Sequence, residues 1–170
     1  MTLSELFRRY NFHDGTALLQ RETPGQTMEI CFALAGWDQS PEVMRGDPDA
    51  KSKCLIVQAL FHGCSDFRII HSTFVPAEKT ATDDLSCDGE EKEHTEVKGT
   101  WVDTPITYAE RDCRLGEDEI LLNPTDTLLT VYTHGDRVWE EVSFSAQSVE
   151  VKEYYASWEE TWQLYEKYRG

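Results

Sequence analysis

The chain has 170 residues, of which 32 are acidic and 16 basic, for a formal charge of −16, and 39% are hydrophobic. A domain of this length buries roughly 70% of its extended-chain surface, so the apolar content supports a core and argues against disorder of the whole chain. The charge argues against binding to nucleic acids or anionic membranes, since both draw their affinity from Lys and Arg replacing counterions.

The first element is a short amphipathic helix. Thr2 and Glu5 have capping-box spacing, and Leu3, Leu6, Phe7 and Tyr10 recur at helical intervals. This opening mixes charged with apolar residues and reads as neither a signal peptide nor a membrane span. After a Pro24-Gly25 turn, Met28, Ile30, Phe32 and Leu34 alternate with Glu29, Cys31, Ala33 and Ala35, the two-residue period of a strand. Asp47 and Asp49 around Pro48 read as a turn. From Cys54 to Phe61 almost every residue is apolar, which predicts an interior strand covered on both faces. A turn over residues 62–66 leads to a strand over residues 67–74, expected as its neighbour.

Residues 77–96 follow neither period and read as a long exposed loop, with Asp83, Asp84, Asp88, Glu90, Glu91 and Glu93. Strands are predicted over residues 97–102, 127–133 and 137–144, the last two joined by a Gly135-Asp136 hairpin. A turn at Ser145-Ala146-Gln147 leads to Val149 and Val151. Ser157 and Glu160 form a second capping box, and Trp158, Trp162 and Tyr165 then share one stripe of a helix, expected to dock on a sheet. The fold class is α+β, a single domain over residues 1–170. Its largely antiparallel sheet, a sandwich or a strongly curved sheet, has a helix at each end.

The acidity is local. Residues 1–75 hold nine acids and seven bases, whereas residues 76–119 hold fourteen acids and five bases, or −9 of the −16. Five cysteines, Cys31, Cys54, Cys64, Cys87 and Cys113, form an odd set without zinc-knuckle spacing, which fits reducing cytoplasm. Cys31 and Cys54 fall inside apolar runs and read as small hydrophobes.

His13-Asp14-Gly15 has the residue types of a phosphohydrolase metal site, but the other histidines (His62, His71, His94, His134) bring no second His-Asp pair. The simpler reading is a turn, with Gly15 at a positive φ and His13 hydrogen-bonded across it. Asp84, Ser86, Asp88 and Gly89 match positions of a calcium loop, but Thr95 stands where its bidentate Glu belongs. The chain has no Gly-x-Ser-x-Gly elbow, no phosphate loop and no zinc helix, so a protein without catalytic activity or cofactor is expected.

The segment Tyr10-Asn11-Phe12-His13-Asp14-Gly15, the alternating strand ending at Trp37, and the run from Phe144 through Ser145, Ala146, Gln147, Ser148, Val149 and Glu150 to Val151 resemble a loose, mostly uncharacterised group of small acidic bacterial proteins. Some of these are immunity-like and neutralise a toxin encoded by a neighbouring gene. The resemblance implies a bacterial cytoplasmic binding protein and no catalytic residues. With the clustered charge it leads to the expectation of an acidic surface, at Asp83, Asp84, Asp88, Glu90, Glu91 and Glu93, that binds a basic protein partner. The alternatives are a metal-binding protein or metal-assisted hydrolase using His13 and Asp14 or the loop at Asp84 and Asp88, and a structural module whose acidity serves solubility.

Overall fold

Both capping boxes are present in the computed structural model, which describes residues 1–23, 25–44, 47, 49–85, 91–107, 116–122, 129–135 and 137–169. Thr2 and Glu5 exchange side-chain and backbone hydrogen bonds at the start of α1 (Leu3–Arg9). Ser157 and Glu160 do the same ahead of α3 (Trp158–Arg169). Each box satisfies amide groups that the first helical turn leaves without partners.

Among the described residues, nine strands, a short helix α2 (Pro41–Met44), and two single 3-10 turns, Gly36–Asp38 and Ala50–Ser52, lie between the two helices. Strands β1 (Thr16–Thr23), β2 (Thr27–Ala35), β3 (Cys54–His62) and β9 (Ser148–Ala156) form an antiparallel sheet in the order β1-β2-β3-β9. Strands β4 (Ser65–Leu85), β5 (Glu91–Pro105), β6 (Gly116–Leu122), β7 (Leu129–Gly135) and β8 (Val138–Ser145) form a second, in the order β5-β4-β8-β7-β6. The architecture is therefore the expected α+β class, antiparallel sheets with a helix at each end.

The alternation along β2 and β3 assigns the layers. Ile30, Phe32, Leu34, Leu55, Val57, Ala59 and Phe61 join Ile69, Leu129, Val131, Val142 and Phe144 of the second sheet in one buried core. Phe61 meets Phe144 edge-on, with ring centroids 5.2 Å apart. The opposite face of the first sheet carries the smaller Cys31, Ala33, Cys54 and Ile56, and Leu164, Tyr165 and Tyr168 of α3 cover it. Residues Cys54–Val57 are consequently buried on both faces, as the apolar run predicts. Helix α1 closes one end of the core through Leu3 and Leu6. Its C-terminal Arg9 and Tyr10 both hydrogen-bond Glu153 on β9, and burial and the bond to Glu153 push the Tyr10 hydroxyl up to about 12.

Three expectations are corrected. The 67–74 segment does not neighbour β3: the turn after His62, with Asp66 at φ 53°, carries the chain into the other sheet, where β4 pairs with β5 and β8. Residues 77–85 and 91–96 do not form an irregular loop. Residues 77–85 lie in β4 and residues 91–96 in β5, in register from Glu78↔Lys98 to Leu85↔Glu91, while residues 86–90 lie outside the described ones. Strand β8 pairs with β4 only as far as Thr73, so among the described residues the outer part of this hairpin is a two-stranded arm. Backbone pairing with a complementary strand supplies order that side-chain periodicity does not report. The third correction concerns α3. Tyr165 docks on the sheet, but Trp158 and Trp162 are 54% and 61% exposed, because the docking face is centred on Thr161, Leu164, Tyr165 and Tyr168.

Candidate aromatic cleft

Trp37 leaves β2 on the turn Gly36–Asp38 and stands 52% exposed beside α3. Its ring lies 5.5 Å from that of Trp158, tilted by 33°, and Trp162 stacks on Tyr165 at 5.2 Å and 15°. The two ring pairs line a cleft of about 410 Å3, with Asp14 on its rim and the buried Ala33, Cys54 and Thr161 among its lining. Among the described residues, no Lys or Arg lines it. Burial pushes the Cys54 thiol up from its ordinary value, so this residue presents a neutral wall.

Hydrogen bonds fix the entrance. Asn11 and Gln39 are reciprocal partners: the Asn11 N–H donates to Gln39 Oε1 at 3.0 Å, and Gln39 Nε2 donates to the Asn11 carbonyl at 2.8 Å and to that of Ala35 at 3.1 Å. Asn11 Nδ2 donates to Asp38 Oδ2 at 2.7 Å. The segment after α1 is thereby clamped to the turn that carries Trp37. The Gly36 N–H donates to the Lys53 carbonyl at 3.1 Å, and Lys53 Nζ contacts Asp47 Oδ2 at 2.5 Å, which holds the Asp47 carboxyl below its usual range. The turn is tied down on both sides.

His13, Asp14, Gly15 and Trp37 lie in one neighbourhood, around the turn Gly36–Asp38 and the start of β1. The roles within the step differ from the expectation. Asp14, not Gly15, holds the positive φ, at 55°. Gly15 is needed for space, since a Cβ there would sit 2.7 Å from Leu34 Cδ2 and 2.9 Å from the Phe12 carbonyl oxygen. His13 Nδ1 lies 3.4 Å from Asp14 Oδ2 and 3.6 Å from Asp38 Oδ2, with its ring exposed. Among the described residues, no group of three or more His, Cys, Asp or Glu side chains is arranged to hold a metal ion.

The acidic set maps elsewhere. Asp83 and Asp84 lie on β4, Glu91 and Glu93 on β5, with Asp83↔Glu93, Asp84↔Lys92 and Leu85↔Glu91 as register partners; Asp88 and Glu90 lie outside the described residues. Asp84 and Thr95 are thus on two paired strands instead of one helix-flanked calcium loop. Of the cysteines, Cys31, Cys54 and Cys64 are free thiols, and Cys87 and Cys113 lie outside the described residues.

The sequence also gave no sign of a buried acid in the second sheet. Glu140 is fully buried on β8 and meets His71 of β4 at 2.9 Å, its register partner. Such a buried polar pair favours the strand register that brings the two side chains together. The cleft itself follows from Trp158 and Trp162 sharing a stripe with Tyr165, but which part of that stripe stays uncovered depends on Trp37, more than a hundred residues away in the sequence.

Taken together, the features are those of a two-sheet antiparallel protein whose outer helix leaves an aromatic cleft open at the surface. No family model, no curated protein and no solved structure matches the chain. No helix among the described residues is long and apolar enough to cross a membrane.

Proposed function

We propose that the chain is a non-catalytic, cytoplasmic binding protein of bacterial type that engages a basic protein partner through its acidic surface, in the manner of the immunity-like proteins its two ends resemble. The observation that carries this reading is the two-stranded arm. It lies in the segment that holds −9 of the −16 charge, and Asp83 stands opposite Glu93 there. Acidic residues stand on both strands of the arm, Asp83 and Asp84 on β4 and Glu91 and Glu93 on β5, and this concentration supports its reading as a binding surface. Complementary charge accelerates capture of a basic partner and rejects acidic ones.

A labelled nona-lysine peptide is the probe. Neutralising the six acids by D83N, D84N, D88N, E90Q, E91Q and E93Q changes the formal charge from −16 to −10. A control with the same net charge carries E22Q, E42Q, D49N, D66N, E141Q and E150Q. At about 10 mM salt, where the Debye length is roughly 30 Å, the arm variant is expected to bind the probe several-fold more slowly than the control, and the difference should shrink near 150 mM. Equal capture by the two variants would assign the acidity to solubility alone.

A further inference from the structure

We propose that the cleft between α3 and the Trp37 turn is a seat for a cationic side chain, a guanidinium above all, presented by a protein partner. The inference rests on the preceding reading only for the basic character of that partner; the seat is argued from the cleft. Four aromatic rings line it, and three of them, Trp37, Trp158 and Trp162, keep about half of their surface or more in solvent. Helical packing alone would favour burying rings of this size against the sheet. Indole faces carry negative potential and attract a cation within about 6 Å of the ring centroid. Asp14 supplies a full negative charge on the same rim, and Asp38 a second one next to Trp37, where it is hydrogen-bonded to Asn11.

The lining favours a cation, since no Lys or Arg among the described residues belongs to it, and the basic side chain beside the two carboxylates is the exposed His13, 3.4 Å from Asp14 and 3.6 Å from Asp38. Lys53, whose carbonyl accepts the Gly36 N–H, has its ammonium group held by Asp47. A guanidinium fits better than an ammonium because it is planar, more weakly hydrated, and able to stack on an indole while its N–H groups reach a carboxylate. The site is also built in advance, because the Asn11–Gln39 exchange and the Gly36–Lys53 bond fix the two segments that carry Asp14 and Trp37. Preorganisation of this kind lowers the entropy cost of binding.

The test titrates the full chain with three capped peptides, tetra-arginine, tetra-lysine and tetra-citrulline, the last being shaped like arginine but uncharged. Each is measured by calorimetry near 150 mM salt. The variants are W162A and D14N together with the six-fold arm variant. Trp162 is largely exposed, and asparagine tolerates the left-handed backbone that Asp14 adopts, so both should remain folded, which circular dichroism confirms. Tetra-arginine is expected to bind at least about 10-fold more tightly than tetra-citrulline, with tetra-lysine between them, and W162A and D14N should each weaken tetra-arginine by about 3- to 10-fold. Equal binding of tetra-arginine and tetra-citrulline would overturn the proposal by making the cleft an apolar or shape-reading site. So would unchanged tetra-arginine affinity in W162A and D14N. If the cleft variants weaken binding and the arm variant does not, the seat stands and the arm reading falls; the converse pattern removes the seat and leaves the arm.

Discussion

An alanine at Gly36 would place a methyl carbon 2.1 Å from the Ala50 carbonyl oxygen and 2.3 Å from that of Lys53. Both obstacles are backbone. The Lys53 oxygen also accepts the Gly36 N–H at 3.1 Å, and the Lys53 N–H donates to the Ala50 oxygen at 3.2 Å. Relief therefore requires the turn Gly36–Asp38 to separate from Ala50–Ser52. Overpacking of this kind costs about 1–3 kcal/mol, and losing the bond to Lys53 adds about 1 kcal/mol. Reduced freedom of the unfolded chain returns about 0.4–1 kcal/mol. The expected net loss is about 1–3.5 kcal/mol, a sizeable part of the roughly 5–15 kcal/mol by which domains are stable. Urea denaturation followed by far-ultraviolet circular dichroism measures it. Because Trp37 is the next residue, tryptophan emission of the folded variant should also change, reporting displacement of the indole from Trp158. A G36A protein within about 0.5 kcal/mol of the original, with unchanged emission, would refute the claim that this close approach positions the cleft wall.

Two further predictions address the core and the pH response. Phe144→Ala should cost about 3–5 kcal/mol, and a cycle with Phe61→Ala should give a coupling of about 0.5–1.5 kcal/mol, because the two rings join the sheets edge to face; a coupling near zero in urea denaturation would mean that the sheets do not meet there. Burial first, and Glu29 second, push the Cys31 thiol up to about 11 from an ordinary value of 9. The folded state then releases its proton later than the unfolded chain, so this contribution is complete below pH 9 and is lost as pH rises through about 11. At 1.36 kcal/mol per unit it amounts to about 2–3 kcal/mol. Under reducing conditions, Cys31→Ala should flatten the fall in stability between pH 9 and 11 by that amount; an unchanged slope would contradict the assignment.

The features legible in the sequence are those set by local chemistry. Thr2 with Glu5, and Ser157 with Glu160, announce helix starts because a capping box lies within one turn. The Met28 to Ala35 run reads correctly as a strand because its alternation turns Met28, Ile30, Phe32 and Leu34 into the core between the sheets, and the Cys54 to Phe61 run reads as an interior strand because its first four residues are covered on both faces, by the second sheet and by α3. The arm was hidden because its order comes from strand partners across the hairpin, and a pair such as Asp83↔Glu93 carries no strand-like side-chain signal. The switch of β4 into the second sheet was hidden for a related reason, since a turn's sequence does not specify which layer the next strand joins. At the site, the His13-Asp14-Gly15 step and Trp37 could be picked out as unusual. Their union with Trp158 and Trp162 required the tertiary contact between the Gly36–Asp38 turn and α3.

The central claim is that an acidic chain receives a cationic partner group on exposed indoles. Its most direct test is the set of five indole N–H resonances in a 1H–15N spectrum, one for each tryptophan, recorded as the tetra-arginine peptide is added. The signals of Trp37, Trp158 and Trp162 should shift together and saturate along one binding curve, while Trp101, exposed on β5 in the other sheet, and Trp139 stay in place. Movement of Trp101 without the other three, or five signals that never move, would contradict the account.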